Sequence, residues 1–196
     1  MVITTGHILS TMSELSVAST SYSSRKIQTW FWILMLLNIV YMVWSRNFLY
    51  PLESKDIVQF ELAKKVPVAE SIVAAWKTPD EGKFDKAIQS IYFDYLFIIL
   101  YTTGLAIACI FLSQLTRHQI LKRTGRLFVF IIIGAGIFDI IENSAMLNSL
   151  AGHLNTWNVV LAYDMAVAKF SLILLSLIFL FVCLIFYVLR KFSKEN

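Results

Sequence analysis

The sequence LFVFIIIGAGIFDIIENSAMLNSL, residues 127–150, is an apolar run of membrane-spanning length with ionisable side chains in its second half. A helix needs roughly 20 apolar residues to cross a bilayer core, so this run predicts a transmembrane helix. Asp139, Glu142, Asn143 and Met146 follow the i, i+3, i+4, i+7 spacing and share one face of that helix. A carboxylate inside a bilayer costs on the order of 3 kcal/mol even on lenient scales. We therefore expect other helices of the chain to cover this polar face.

The composition of the whole chain is that of a multi-pass membrane protein. Its 196 residues are 58% hydrophobic and 15% charged, with a mean hydropathy of +0.68, which is too apolar for an ordinary soluble domain. We predict an all-α fold, a polytopic bundle of four transmembrane helices that forms one domain over residues 25–193. The predicted spans are residues 28–45, 90–112, 127–150 and 157–188.

The first 24 residues differ from the rest of the chain. They are rich in Ser and Thr and have no apolar period, so we predict a mobile polar tail over residues 1–24. Translation from Met12 would leave every predicted span intact. The first span follows Arg25 and Lys26 as the apolar part of a signal peptide would, but it is long and no small-residue cleavage site follows it. We expect it to remain as a transmembrane helix.

The loop over residues 46–88 is the only sizeable loop, and it has helical character. Val68, Ile72 and Trp76 are spaced i, i+4, i+8, which predicts a short amphipathic helix that begins at Pro67. Its apolar stripe lies either on the membrane surface or on the bundle as a lid, and its weakly basic polar face favours the lid. A further turn or two of helix is predicted near residues 57–63.

The end of this loop resembles a helix start. Thr78, Pro79, Asp80 and Glu81 have the order expected of an N-cap, a first helical residue and a third-position acid. The pattern predicts a helix that begins outside the membrane and continues into the second span.

The distribution of lysine and arginine predicts the orientation. Basic residues precede the first span, fill the predicted loop at residues 114–126 and follow the fourth span, whereas acids nearly balance the bases of the 46–88 loop. The positive-inside rule places both termini in the cytoplasm and the 46–88 loop outside the cytoplasmic (inner) membrane. The same clusters account for the net charge of +4, so we predict no nucleic-acid partner.

Depth along the helices predicts a polar site in the outer half of the bundle. At about 1.5 Å of rise per residue, Asp94, Glu142 and Lys169 lie at similar depths in three different spans. Carboxylates outnumber the lysine, so the surplus charge must be protonated, hydrated or balanced by a ligand. The predicted pocket residues are Asp94, Tyr95, Asp139, Glu142, Asn143, Asp164 and Lys169, and the predicted lid residues are Val68, Ile72 and Trp76.

The residue types of this site restrict its chemistry. His7, His118 and His153 lie outside the predicted spans, which argues against a His-built zinc or di-iron site in the bundle. The oxygen ligands that remain suit Mg²⁺ or Ca²⁺, but Asp-x-x-Glu-Asn is a short pattern with many chance matches, so we assign no metal or other cofactor. Cys109 and Cys183 fall inside spans, as small apolar fillers do, and predict no disulfide framework.

Several functions agree with this pattern. The leading hypothesis is a non-enzymatic membrane protein that binds a lipid, a small amphiphile or a cation in the acidic pocket, or that acts as a subunit of a membrane complex. The alternatives are an intramembrane enzyme with a buried carboxyl as general acid or base on a lipid or isoprenoid, and a small proton-coupled or cation-coupled transporter. The same residues also suit a polar staple that fixes helix register. Besides the bilayer, the predicted partners are another membrane protein or a second copy through Gly134-Ala135-Gly136.

Five segments carry a resemblance to other proteins, and each combines aromatic, acidic or basic residues with apolar ones. Together they resemble a group of small uncharacterised four-span bacterial membrane proteins, from about the first loop to the fourth span. The resemblance implies the architecture and a bacterial cytoplasmic membrane but no activity, and it implies that the Phe-Glu-Leu-Ala segment belongs with the polar site. The segments are Phe60-Glu61-Leu62-Ala63, residues 72–76, Asp94-Tyr95-Leu96-Phe97-Ile98 with Tyr101, Asp139-Ile140-Ile141-Glu142-Asn143, and Lys169-Phe170.

Overall fold

The computed structural model describes the backbone of residues 5–78 and 82–195, and the side chains of residues 25–78 and 82–193. Within this part of the chain all regular structure is α-helical, which confirms the predicted all-α class. The helices are α1 (Thr5–Leu49), α2 (Ser54–Glu61), α3 (Val66–Trp76), α4 (Lys83–Leu115), α5 (Gln119–Leu150) and α6 (Thr156–Glu195). Four segments are long and apolar enough to cross a membrane: Arg25–Leu49, Lys83–Leu115, Gln119–Leu150 and Thr156–Ser193.

Helices α4, α5 and α6 form the centre of the bundle, since α5 packs on both of the others and α4 also contacts α6. Helix α1 packs mainly on α4. Two side chains of α1 fix this contact by hydrogen bonds to the α4 backbone: the Asn38 amide donates to the Leu100 carbonyl at 3.2 Å, and the Tyr41 hydroxyl donates to the Phe93 carbonyl at 2.6 Å. Apart from these contacts α1 is largely exposed, as expected of a helix that faces lipid.

Two apolar clusters fill the bundle, one at each end. The first lies at the end that carries α2 and α3, which we name the lid end, and includes Phe60, Trp76, Ile91 and Met146. The second lies at the opposite end, where Phe128 and Phe179 stack with ring centroids 4.3 Å apart. Because α2 and α3 contribute buried side chains to the first cluster, the 46–88 loop caps the bundle, as predicted.

The face that α3 presents to the bundle differs from the predicted stripe. Ala69, Val73 and Trp76 are the buried positions of α3, whereas Val68 is 44% exposed and Ile72 is half-buried. Trp76 thus packs on the bundle as predicted, whereas Ala69 and Val73 take the inward positions predicted for Val68 and Ile72. Small Ala69 allows a closer approach to the bundle than Val68 would, which accounts for the difference.

The start of α4 also differs from the prediction. Helix α3 ends with Lys77 as its C-cap, and the Thr78 hydroxyl donates back to the Ala75 carbonyl of α3 at 2.7 Å instead of capping the next helix. Helix α4 begins at Lys83, and its N-cap is Gly82 in the left-handed region with φ of 59°. Glycine is the residue that adopts this φ without steric cost. Pro79, Asp80 and Glu81 of the predicted start lie outside the described residues.

The boundaries of two predicted irregular segments change as well. The predicted loop at residues 114–126 shrinks to the turn at 116–118, because the basic residues that follow belong to the first turns of α5. The predicted polar tail at residues 1–24 begins outside the described residues, and its backbone is helical from Thr5 onward. Extending a helix that is already nucleated costs little, which explains a helix in a stretch without an apolar period. The mobility of this segment stays a prediction.

The basic residues that precede the first span, lie at residues 114–126 or follow the fourth span gather at the end of the bundle opposite α2 and α3, whereas those of the 46–88 loop lie at the lid end. The aromatic contact between Phe31 and Phe111, at 5.1 Å between centroids, places the first turns of the α1 span beside the end of α4. A hydrogen bond from Arg190 to the Leu115 carbonyl, at 2.9 Å, places the end of α6 there too. We name this the basic end. Its location in the cytoplasm stays a prediction from the positive-inside rule.

Candidate functional site

The centre of the site is the Lys169 ammonium, which is buried in the bundle with carboxylates of two helices around it. Its Nζ atom lies 2.8 Å from Oδ1 of Asp139 and 2.9 Å from both carboxylate oxygens of Glu142. Oε2 of Glu61 lies 3.8 Å from the same nitrogen. Three carboxylates therefore share one ammonium, and the predicted meeting of Lys169 with the acidic face of α5 is present in the structure.

Helix α5 presents the predicted polar face inward. Asp139, Glu142, Asn143 and Met146 are all at most 3% exposed, because the i, i+3, i+4, i+7 spacing places them on the side that packs against α4 and α6. Isoleucines at positions such as Ile137 lie on the opposite face and are exposed, as expected for lipid contact. The burial of this face thus follows from helix periodicity alone.

Two further hydrogen bonds connect the site to α4. The Tyr101 hydroxyl donates to Oδ2 of Asp139 at 2.8 Å, so both oxygens of Asp139 have partners. The Asn143 amide donates to Oδ2 of Asp94 at 2.7 Å. Each bond pairs a side chain of α4 with one of α5, so the polar site fixes the rotation of these helices relative to each other.

Glu61 comes from outside the transmembrane helices. It is the last residue of α2 and only 7% exposed, since the preceding Phe60 packs on Trp76 of α3 and holds the end of α2 on the bundle. Oε2 of Glu61 is buried without a hydrogen-bond partner among the described residues, whereas Oε2 of Glu142 is ion-paired with Lys169 but has no aligned hydrogen bond there. The two carboxyl groups are also within hydrogen-bonding range of each other.

This pair of carboxyl groups constrains the charge of the site. Two ionised carboxylates only accept hydrogen bonds and repel each other, whereas one proton makes a donor for the partner oxygen. Buried polar atoms are normally paired, and a proton shared by the Glu61 and Glu142 carboxyl groups would give Glu61 the partner it otherwise lacks. Lys169 would then neutralise one of the remaining negative charges. The arrangement can therefore store a proton at the point where the lid meets the membrane helices.

Burial raises the pKa of the Glu61 carboxyl above its ordinary value of 4.5, Lys169 opposes the shift, and Asp139 adds to it by repulsion. A carboxyl with a raised pKa in the folded state favours folding below its ordinary pKa, and this contribution is lost as pH rises through the raised value.

We therefore expect wild type to lose stability relative to Glu61→Gln as pH rises from about 4.5 upward, because the variant stays neutral. Thermal unfolding of both proteins across this range tests the prediction, and Glu70→Gln, at an exposed glutamate of α3, is the matched control. Parallel pH profiles of wild type and Glu61→Gln would contradict it.

Two predicted pocket residues lie elsewhere. Asp164 is exposed, because the α6 face that turns inward carries Ala162, Ala166 and Lys169. Tyr95 is half-buried, and its hydroxyl lies 3.4 Å from that of Ser144, away from the lysine. The site therefore lacks Asp164 and Tyr95 and includes Tyr101 and Glu61. The resemblance had implied that the segment containing Glu61 belongs with the polar site.

A groove opens beside this site along the bundle. It has a volume of about 790 Å³ and runs between α1 and α6, with α4 as its floor and α2 at its upper end. Its polar residues include Glu61, Asp94, Asp139 and Lys169, all at the upper end. Below them the walls are mainly apolar, with residues such as Met35, Phe97, Leu105, Ala108, Ile173 and Leu180.

Lys169 itself is the cation that neighbours the acids of the site. Among the described residues no group of three or more His, Cys, Asp or Glu side chains is placed to hold a metal ion. The Lys169 ammonium lies at the position between Asp139 and Glu142 that a bound cation would take. The two cysteines are free and buried in the cluster at the basic end.

Comparison of the chain with protein-family models, with curated proteins and with solved structures gives no match. The resemblance to small four-span bacterial membrane proteins stays an expectation, and function has to be argued from the geometry of this chain.

Proposed function

We propose that this chain is a non-enzymatic membrane protein that binds one amphiphile in the groove between α1 and α6. The observation that carries the proposal is the continuity of a long apolar groove with a buried charged cluster at one end. Its volume of about 790 Å³ lies within the range of small-molecule sites. An apolar chain along α4 and a polar head beside Asp94 would match this distribution of surface.

The charges at the upper end select the head group. Glu61, Asp94 and Asp139 line the groove there, and Lys169 is the buried cation among them. Arg46 and Glu53 also line the groove, so with a proton on Glu61 the three carboxylates of Glu53, Asp94 and Asp139 face the two cations Arg46 and Lys169. The charge balance supports a head that carries positive charge or donates hydrogen bonds, such as an amine, and disfavours a phosphate or carboxylate head.

The route into the groove also supports a membrane-soluble ligand. Helix α1 packs mainly on α4, so its other flank borders the groove and faces α6 across the opening. Residues on both sides of the opening, such as Met42 and Leu177, are exposed and apolar. A lipid-like molecule could enter sideways from the bilayer without passing through water.

The proposal predicts selective labelling by a long-chain amine that carries a photoreactive diazirine in its chain. With the full-length protein in nanodiscs, the amine should label groove residues of α4 and α6 several-fold more than a probe with the same chain and a carboxylate head. Ala108→Trp should remove this labelling, because Ala108 lines the groove. Peptide mapping by mass spectrometry measures both effects.

Two matched controls distinguish binding in the groove from non-specific effects of adding a tryptophan or of removing an acid. Ile99→Trp introduces the same ring on the same helix at a position that is 63% exposed, so it should leave labelling unchanged. Asp94→Asn should reduce the preference for the amine, whereas Asp164→Asn, at an exposed acid, should not. Equal labelling by amine and carboxylate probes would contradict the charge argument, and full labelling of Ala108→Trp would contradict the groove.

A second function has one observation in its favour. The carboxyl groups of Glu61 and Glu142 neighbour each other and Glu61 lines the groove, which suits a carboxyl that exchanges a proton with a bound lipid or isoprenoid. In that enzyme Glu142→Gln would keep the fold and amphiphile labelling but stop turnover of the bound lipid. Recovery of an unaltered ligand from wild type after prolonged incubation would contradict the enzyme hypothesis.

A further inference from the structure

A second cavity lies at the basic end, far from the carboxylate site. It has a volume of about 250 Å³ and lies between the last turns of α4 and α6. Its lining residues are Phe111, Gln114, Leu115, Arg117, Tyr187 and Arg190. Two arginines, a tyrosine and a glutamine thus line one small space, and none of its lining residues is acidic.

The two arginines are held in different ways. Arg190 is half-buried, and its Nη1 donates to the Leu115 carbonyl at 2.9 Å, which fixes the guanidinium against the end of α4. A guanidinium has several N–H donors, so this bond leaves donors available to a ligand in the cavity. Arg117 lies in the turn at 116–118 with a left-handed φ of 57° and is exposed.

Among the side chains that the structure describes, no acid lies at this end of the bundle. The sequence carries no Asp or Glu at residues 95–138 or 165–194, which include every residue that lines the cavity. Lys122 and Arg126, in the first turns of α5, add further positive charge at the same end. An anion bound here would meet guanidinium donors and no competing carboxylate, which are the conditions that favour phosphate.

We propose that the cavity at the basic end binds a phosphate group, supplied by an anionic phospholipid of the surrounding leaflet or by a soluble phosphate. The guanidinium groups of Arg117 and Arg190 bind its oxygens, and Tyr187 donates a further hydrogen bond. Phe111 and Leu115 give the cavity an apolar wall at the level where an acyl chain begins. The site is independent of the groove and of its proposed ligand.

Native mass spectrometry of the full-length protein tests this proposal with equal amounts of phosphatidylglycerol and phosphatidylcholine. Wild type should retain phosphatidylglycerol in preference, and Arg117→Asn should lower that retention about fivefold, since each arginine contributes one charged contact. Asparagine tolerates a left-handed φ, so the turn should survive the change. Arg190→Lys, which keeps the charge but not the fork of donors, should have a smaller effect of the same sign.

Arg123→Asn is the matched control, because it removes one exposed charge from the same end without touching the cavity. It should retain phosphatidylglycerol as wild type does. A second outcome is that wild type shows no preference for phosphatidylglycerol while inorganic phosphate raises the melting temperature of wild type but not of Arg117→Asn. That result would support a phosphate site whose ligand is a soluble phosphate. If neither probe distinguishes Arg117→Asn from Arg123→Asn, the proposal is overturned.

Discussion

Replacing Lys169 by methionine should be among the most destabilising single changes in the described chain. The variant keeps the volume of the side chain but leaves Asp139 and Glu142 buried without their counter-charge, while Glu61 loses its nearest cation. Removal of one partner from a buried ion pair costs about 3–5 kcal/mol. We expect a large loss of folded protein in the membrane and a marked fall in melting temperature, measured by fluorescence-detected size exclusion after heating.

The chain provides a matched control for this prediction. Lys55 lies 2.8 Å from a carboxylate oxygen of Glu53, the same distance as in the Lys169 pair with Asp139, but its side chain is 67% exposed. Water solvates both charges of the exposed pair, so Lys55→Met should leave stability unchanged. Equal effects of the two variants would show that burial does not set the strength of the Lys169 cluster.

A charge-balanced double variant distinguishes a lost counter-ion from lost packing. Lys169→Met combined with Asp139→Asn removes one positive and one negative charge, and Tyr101 can still donate to the amide oxygen at position 139. We expect the double variant to recover part of the stability that Lys169→Met loses, because the two sites are in direct contact. A double variant that is no more stable than Lys169→Met would assign the loss to packing instead.

The sequence predicts the inward face of α5 because its polar residues repeat with the period of a helix. It does not predict the rotation of α6, since matching depths along two helices says nothing about which side of each turns inward. Asp164 shows the consequence: it lies near the right depth but on the exposed side. The spacing of Ala162, Ala166 and Lys169 carried the missing signal, because small residues mark the side where helices approach closely.

The structure adds two residues to the predicted site, Tyr101 and Glu61, and the sequence predicts the first more readily than the second. Tyr101 follows Asp94 at i+7, so helix periodicity alone places both on one face of α4. Glu61 reaches the site through α2, and the docking of that short helix depends on Phe60 and Trp76 meeting across the loop. No local pattern encodes such a contact. Only the resemblance of the Phe-Glu-Leu-Ala segment pointed to it.

Because α4 and α5 approach closely at Gly125, we expect Gly125→Ala to destabilise the bundle and Gly134→Ala not to. A Cβ atom at position 125 would lie 2.8 Å from Cβ of Ser113 and 2.9 Å from the Cys109 carbonyl oxygen. The backbone carbonyl cannot move without shifting α4. At Gly134 the nearest atom is Cδ1 of Leu172 at 3.7 Å, which is ordinary contact.

Both substitutions raise the intrinsic stability of the helix by the same amount, since alanine is favoured over glycine in a helix interior by about 1 kcal/mol. At position 125 the overpacking cost of about 1–3 kcal/mol should exceed this stabilisation, so the variant should be less stable than wild type. At position 134 no overpacking occurs, so the stabilisation by alanine should remain. Melting temperatures of the two variants and wild type test this, and a Gly125→Ala protein as stable as Gly134→Ala would contradict it.

The close contact at Gly125 also affects the polar site. Gly125 is 14 residues from Asp139, about 21 Å along α5, yet both lie against α4. If the helices separate at Gly125, Tyr101 and Asp94 can hold their α5 partners only by bending α4. We therefore expect Gly125→Ala to weaken labelling of the groove by the long-chain amine as well, while Gly134→Ala leaves it intact. Unchanged labelling of a destabilised Gly125→Ala protein would instead show that the contacts at the lid end fix α4 without help from the basic end.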